Sequence, residues 1–89
     1  MIVIRIKLTV DQSNKEALVS YLKAEVQRNK TLSGCLAYSL YQDVSEADDL
    51  LLYEEWDNIE SFNLYKNAEA HSKKMNTVAP LLAGAPNSV

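Results

Sequence analysis

A strict alternation of residue types predicts the first strand of the chain. Even positions from 2 to 8 are all aliphatic and share one face: Ile2, Ile4, Ile6 and Leu8. Odd positions are mostly polar and share the other face: Val3, Arg5, Lys7 and Thr9. A period of two residues is that of a β-strand, and β-branched side chains suit its pleated surface. Residues 2–9 are therefore predicted to form a strand that is buried on one face.

A helix of about four turns is predicted next, ending at Asn29. Ser13 and Glu16 have the spacing of a capping box, in which a hydroxyl and a carboxylate satisfy free backbone N–H groups at a helix start. Apolar residues then recur at steps of three and four and predict one buried stripe: Ala17, Leu18, Tyr21, Leu22 and Val26. Ser33 and Gly34 break this pattern.

Two more apolar runs predict a pair of antiparallel strands. They cover residues 35–42 and 50–56, and the polar segment 43–49 between them has the length of a hairpin connection. The first run is apolar on both faces, with one set on each side: Leu36, Tyr38 and Leu40 against Cys35, Ala37 and Tyr41. A sheet with helices on one side normally has a polar second face. We therefore expect a second copy of the chain to cover it, because symmetric homodimers are the commonest oligomers.

Helices complete the predicted fold. Asp57 or Asn58 can cap one helix, and a further helix is expected over residues 68–82, with Pro80 as its kink or terminus. The tail, residues 84–89, is short and rich in turn residues. The order of elements predicts an α+β fold of ferredoxin-like connectivity: an antiparallel sheet with helices on one face and a last strand that is short or absent.

Composition limits the possible partners and compartments. With 89 residues there is room for a single domain, 1–89. The net charge is -3 and the nine Lys and Arg residues are scattered, which argues against nucleic-acid and membrane surfaces. No apolar stretch approaches the ~20 residues of a membrane span. One cysteine cannot form an internal disulfide, and Met1 leads directly into a strand without a signal peptide, so a cytoplasmic location is expected.

The common cofactors have little support in the sequence. Only two glycines are present, Gly34 and Gly84, so neither the dinucleotide-binding fingerprint nor a phosphate-binding P-loop can be built. One histidine and one cysteine far apart do not provide a set of metal ligands. No cofactor and no metal are therefore predicted.

Few side chains could carry chemistry, and each has a plain structural alternative. His71 is the only histidine; it is either an exposed helix residue or a proton shuttle. Trp56 closes the third strand as core or cavity wall. Of Glu54 and Glu55, only one can point inward, and we expect it to form an ion pair with an arginine, Arg5 or Arg28, across the dimer. The five tyrosines could line a pocket for a phenol or quinone, or lie at an interface. The single cysteine is expected to be a packing residue.

Two segments and a histidine resemble a known family. Residues 34–43 begin Gly-Cys-Leu-Ala-Tyr, residues 51–62 contain Glu-Glu-Trp, and His71 follows. Together with Ala-Pro-Leu-Leu at 79–82, they resemble the antibiotic biosynthesis monooxygenase (ABM) domain family. The resemblance extends from Ile2 to about Pro86. It implies a ferredoxin-like protomer that pairs into a dimeric α/β barrel, with a pocket between sheet and helices. Several members oxidise aromatic polyketides or hydroquinones with molecular oxygen and without metal or flavin.

The resemblance also implies site residues. Trp56 matches the family's tryptophan, His71 matches within one residue the histidine of the following helix, and Tyr65 stands where the family often carries an earlier histidine. These three are the expected catalytic residues. The expected substrate-binding residues are Tyr38, Leu52 and Phe62. Leu52 stands where quinol-oxidising or haem-degrading relatives have a strand asparagine, so haem degradation is not implied.

The expected function is thus a cofactor-independent monooxygenase acting on a small aromatic or quinol. Two alternatives stay open. One is a non-catalytic dimeric module that binds a small ligand, which would suit a site with few titratable groups. The other is an isomerase of a small phosphorylated sugar, which would need a cationic clamp; Arg5 and Lys7 on the first strand are the candidates.

Overall fold

Three long strands and one short strand form a single antiparallel sheet in the computed structural model, which describes residues 1–89. The strands are β1 (Ile2–Thr9), β2 (Cys35–Gln42), β3 (Asp49–Trp56) and β4 (Asn87–Ser88). Their spatial order is β2-β3-β1-β4, which is the ferredoxin-like order. The predicted α+β fold is therefore confirmed, and so is the short last strand. The two residues of β4 pair with β1 at the edge of the sheet.

Three helices cover one face of this sheet. They are α1 (Lys15–Asn29), α2 (Ile59–Asn67) and α3 (Glu69–Val78). A short 3-10 turn, Ala79–Leu81, follows α3 and contains Pro80, so the last helix ends earlier than predicted and Pro80 marks its terminus. None of the helices has the length and apolar composition that a membrane span requires.

The start of α1 differs from the predicted capping box. A 3-10 turn, Gln12–Asn14, precedes the helix, and the carboxylate of Asp11 accepts hydrogen bonds from the backbone N and the Oγ of Ser13, at 3.0 and 2.8 Å. Ser13 therefore donates to the capping residue, Asp11, instead of acting as the cap itself. At α2 the prediction holds: the Asn58 side chain accepts from the backbone N of Ser61 at 2.9 Å.

A bulge at the start of β2 changes which of its residues face the helices. Cys35 pairs with Trp56, and Ala37 pairs with Glu55. Leu36 therefore has no partner on β3 and forms the bulge. Leu36 is consequently 58% exposed, whereas Cys35 packs against the core. The sequence predicted that Leu36 shares the face of Tyr38 and Leu40 and that Cys35 lies on the opposite face. The two residues do lie on opposite faces, but it is Cys35 that faces the helices. Beyond the bulge, Tyr38 and Leu40 face the helices as predicted.

The core consists of two clusters between sheet and helices. The first is aliphatic and is made by both strands and helices: Leu8, Val10, Leu18, Leu22, Leu50 and Val78. The second is mainly aromatic: Tyr38, Leu52, Trp56 and Tyr65, with Phe62 packed against it. Ala17 was predicted to be buried in the stripe of α1 but is exposed. The stripe runs through Leu18 and Leu22 and continues into two polar residues, Glu25 and Asn29, which are also buried.

Candidate functional site

A cavity of about 280 Å³ opens where the C-terminal half of α1, the end of β3 and the two last helices meet. Three of the predicted site residues line it together: Trp56, Tyr65 and His71. The predicted substrate-binding residues Tyr38, Leu52 and Phe62 do not line it. They lie in the aromatic cluster or against it, behind the wall that Trp56 and Tyr65 make.

Stacked rings form this wall. The ring of Tyr65 lies 4.9 Å from that of Trp56 and is tilted by only 24°, so one face of the indole is covered. Phe62 packs against the indole at 6.2 Å, and His71 places its ring edge-on to Tyr65 at 5.0 Å. Such pairs prefer offset-stacked and edge-to-face arrangements. The histidine imidazole is therefore held in place by an aromatic neighbour on the cavity wall.

The indole N–H of Trp56 is already bonded within the chain. Its Nε1 donates to Oε1 of Glu54 at 3.0 Å, and both side chains are buried. The sequence predicted an ion pair between the inward carboxylate and Arg5 or Arg28 across a dimer, and this stays a prediction. Within the chain neither arginine pairs with Glu54: Arg28 pairs with Glu25, and Arg5 lies on the outer face of the sheet opposite Tyr53. The inward carboxylate thus takes its donor from the adjacent aromatic residue.

A buried lysine connects the two tyrosines of the aromatic cluster. Lys74 Nζ donates to Tyr65 Oη at 2.5 Å and to Tyr38 Oη at 3.1 Å, and the two hydroxyls share a hydrogen bond of 2.7 Å. Lys74 lines the cavity although it is only 3% exposed. It lies three residues after His71 on α3, so both side chains face the cavity from successive turns.

The C-terminal half of α1 provides the opposite, polar side of the cavity. Glu25 accepts a hydrogen bond from Asn29 Nδ2 at 2.9 Å and forms an ion pair with Arg28. All three residues line the cavity. Since Leu18, Leu22, Glu25 and Asn29 follow one another at steps of four and three, the same helix stripe that is buried in the core also supplies these polar groups.

Burial shifts the acid–base properties of the site. It lowers the pKa of His71, and the charges of Lys74 and Lys66 lower it further, so the imidazole is neutral at pH 7 and able to accept a proton. Burial also lowers the pKa of Lys74, against the opposing effect of Glu54 and Glu25. The pKa values of Tyr38 and Tyr65 are raised, chiefly by burial, so both hydroxyls stay protonated.

Other residues singled out by the sequence lie elsewhere. Arg5 and Lys7, the candidate clamp for a phosphorylated sugar, are exposed on the outer face of the sheet, and Lys7 pairs with Asp49 at 3.3 Å. Neither Arg5 nor Lys7 lines the cavity beside Trp56. Cys35 packs against the aromatic cluster, as predicted for a packing residue. No group of three His, Cys, Asp or Glu side chains is placed to hold a metal ion.

Sequence reasoning missed the lysine and the polar end of α1. A signal for Lys74 was available, because its distance of three residues from His71 puts the two side chains on one helix face. Glu25 and Asn29 likewise continue the period of Leu18 and Leu22. Both signals were weak, since polar residues at such positions lie at the margin of a buried stripe more often than inside a site.

Comparisons with known proteins agree with this fold. The family model described as antibiotic biosynthesis monooxygenase (ABM) matches residues 1–76. A crystal structure from Deinococcus radiodurans, of a proposed antibiotic biosynthesis monooxygenase, has a TM-score of 0.91 at 19% identity and covers 100% of this chain and 90% of its own. A protein from Nitrosomonas europaea with the same proposed activity has a TM-score of 0.91 at 18% identity, covering 100% and 94%.

A third solved structure carries a broader description. It is a Bacteroides thetaiotaomicron protein of unknown function described as a possible oxidoreductase, with a TM-score of 0.86 at 16% identity, covering 98% of this chain and 93% of its own. At these identities the likeness is one of fold. Among curated proteins, no match to this chain was found.

Proposed function

Because this chain belongs to the antibiotic biosynthesis monooxygenase family, we propose that it is a cofactor-independent monooxygenase that oxidises a small aromatic or quinol-like molecule with molecular oxygen. The observation that carries the proposal is the cavity itself. It is walled by stacked rings and has one titratable imidazole on its surface, that of His71, whose lowered pKa keeps it neutral at pH 7. A planar phenol suits such a wall, and its hydroxyl proton needs a base of this kind.

The reaction needs electrons only from the substrate. His71 takes the hydroxyl proton, and the electron pair of the broken O–H bond stays on the substrate as an electron-rich anion. This anion reduces oxygen: one oxygen atom replaces the two hydrogens of a ring CH₂, such as that of an anthrone, as a new carbonyl, and the other oxygen atom leaves with those two hydrogens as water. His71 then returns its proton to the substrate's oxygen. The substrate supplies all four electrons, so no further reductant is required. The wall of stacked rings supports such a step, because it keeps water from the side of the reactive anion that packs against it.

The remaining predicted residues are proposed to act through the wall. Trp56 has one ring face and its N–H occupied within the chain, so it offers the substrate a rigid surface and no free donor. Tyr65 stays protonated and fixes the position of His71. Tyr38, Leu52 and Phe62 hold the wall from behind. We therefore expect substitutions of Tyr38, Leu52 and Phe62 to change the affinity for the substrate modestly, whereas substitution of His71 should reduce turnover strongly.

Oxygen uptake tests the proposal. Wild-type protein is supplied with a panel of hydroquinones and anthrones, and uptake is compared with that of His71→Ala. Loss of a positioned base should lower the rate by about 10²-fold or more. Ser72→Ala, at the exposed neighbour on the same helix, is the matched control and should keep the wild-type rate. Wild-type uptake that does not exceed that of His71→Ala on any substrate contradicts the proposal.

A non-catalytic binding module is the second candidate, and one observation favours it. Two polar groups of the cavity wall, Trp56 Nε1 and the Tyr65 hydroxyl, are already bonded within the chain. Under this alternative, calorimetry would detect binding of hydroquinones while oxygen uptake stayed at the level of the buffer. His71→Ala and Trp56→Phe would then change affinity or stability only.

We also propose that the chain forms a homodimer through the outer face of its sheet, as a single cytoplasmic domain. Val3 and Tyr41 are exposed there, and Tyr41 packs edge-to-face on Tyr53 at 6.5 Å. Apolar and aromatic side chains of this kind are typical of a covered face. Sedimentation at micromolar concentration tests it, and a monomer would contradict it. The cytoplasmic location rests on the single cysteine.

A further inference from the structure

One buried charge in the cavity has no counter-ion in this chain. Lys74 lies within 4 Å of no carboxylate, since all the ion pairs of the structure involve other lysines and Arg28. Its only hydrogen-bond acceptors are the hydroxyls of Tyr65 and Tyr38. A buried ammonium with no carboxylate in contact is costly, because the more distant charges of Glu54 and Glu25 offset its desolvation only in part.

The other charges around this lysine are committed elsewhere. Glu25 is bonded to Arg28 and Asn29 on α1, and Glu54 on β3 accepts from Trp56. On its own helix Lys74 has His71, and α2 contributes the cation Lys66 to the same surroundings. An ammonium has three N–H donors, and only two of them are used by the tyrosines. One donor is therefore available to a group in the cavity that the side chain lines.

We propose that Lys74 is the counter-ion that stabilises the substrate's oxyanion in this cavity. The inference rests on the proposed function and adds to it the residue that holds the anion. A phenolate fits this cavity better than a phosphate, because Arg28, the guanidinium that would bind a phosphate, already forms an ion pair with Glu25. Lys74 and His71 face the cavity from adjacent turns, so the group that loses its proton to His71 lies beside the ammonium.

Ionisation of a bound chromophore tests this proposal without oxygen. The probe is 4-nitrophenol, whose phenolate absorbs visible light, titrated with pH in the presence of saturating protein. An ammonium within a few ångströms should lower the apparent pKa of the bound probe by about one unit, a tenfold preference for phenolate. Lys74→Met should abolish the shift, and Lys74→Arg should retain it. Lys73→Met is the matched control: this lysine is on the same helix, its side chain is 75% exposed, and its charge pairs with Glu69.

Two results would overturn the proposal: no saturable binding of the probe by wild-type protein, or the same bound pKa in Lys74→Met as in wild type. If Lys74→Met fails to fold, the wild type alone decides. It should bind ionised 4-nitrophenol at least about tenfold more tightly than 4-nitroanisole, which cannot ionise, and equal affinity would refute the assignment. Oxygen uptake is a separate readout. A lowered pKa of the bound probe without oxygen uptake would remove the monooxygenase proposal but keep the role of Lys74. Oxygen uptake with an unchanged pKa of the bound probe would keep the monooxygenase proposal and remove the role of Lys74.

Discussion

The hydrogen bond between Trp56 and Glu54 should be measurable as a coupling energy in the stability of the protein. The indole is completely buried, the carboxylate is nearly so, and their atoms lie 3.0 Å apart. Trp56→Phe removes the N–H and leaves the carboxylate with no donor in the chain. Glu54→Gln removes the charge but keeps an acceptor oxygen for the indole. The double variant removes both the indole N–H and the charge of the carboxylate.

The structure sets the size of each effect. The smaller ring of Phe leaves a void that costs about 1 kcal/mol, and a buried acceptor left unpaired costs about 1–3 kcal/mol more. Trp56→Phe should therefore lower the free energy of unfolding by about 2–4 kcal/mol. Glu54→Gln should change it by less than about 1 kcal/mol, because a bond is kept while a poorly solvated charge is lost. In the double variant the void remains and the buried acceptor is a neutral amide, which costs less to leave unpaired than a carboxylate, so the coupling should be about 1 kcal/mol.

Urea unfolding followed by far-ultraviolet circular dichroism measures the four free energies. All four proteins are compared at one concentration, because the stability of a dimer depends on it. The free energy of unfolding should fall with urea concentration at the same slope in all four proteins, which would show that their unfolded states are comparable. If the effects of the two substitutions add to within about 0.5 kcal/mol, the carboxylate is not held by the indole and the reasoning is refuted.

Three further predictions concern stability. Burial raises the pKa of Glu54 above its ordinary value of 4.5. The stability that protonated Glu54 contributes should therefore be complete below pH 4.5 and be lost as the pH rises through the raised pKa. Urea unfolding across this pH range should show the loss in wild type and not in Glu54→Gln. Gly34→Ala should lower the free energy of unfolding by more than about 2 kcal/mol, because Gly34 has a φ of 81° and a new Cβ would lie 2.6 Å from Asp57 Oδ1. A loss of less than about 0.5 kcal/mol would contradict this prediction. Asn58→Ala should cost about 1 kcal/mol by removing the cap of α2, whereas Asn63→Ala, on its exposed surface, should cost less than about 0.5 kcal/mol, and equal losses in thermal unfolding would argue against the cap.

Local patterns were sufficient for most of the fold. The alternation in residues 2–9 predicted β1 to the residue, and the apolar period predicted the end of α1 at Asn29. These elements depend on contacts between near neighbours in sequence, so their periods are legible without knowledge of the partner. The errors fell where two local solutions compete. Asp11 and Ser13 can both cap a helix start, and the bulge at Leu36 exchanges the faces of neighbouring residues.

The candidate site divides in the same way. Trp56, Tyr65 and His71 could be named from the sequence because the family pattern marks them, and they do line one cavity. Lys74 was missed, because a lysine is exposed on most helices and its spacing of three residues from His71 is only a weak signal. The sequence predicted that Glu54 or Glu55 points inward, but not that the donor to the inward carboxylate is Trp56.

The sequence by itself therefore determined the order of elements, the buried face of β1 and the family. Only the tertiary structure decided which polar side chains are enclosed and with whom they pair. The physical reason is the difference in range. Hydrophobic periodicity is a property of one segment, whereas the bonds from Lys74 to Tyr38 and Tyr65 exist only once β2, α2 and α3 have packed together and excluded water.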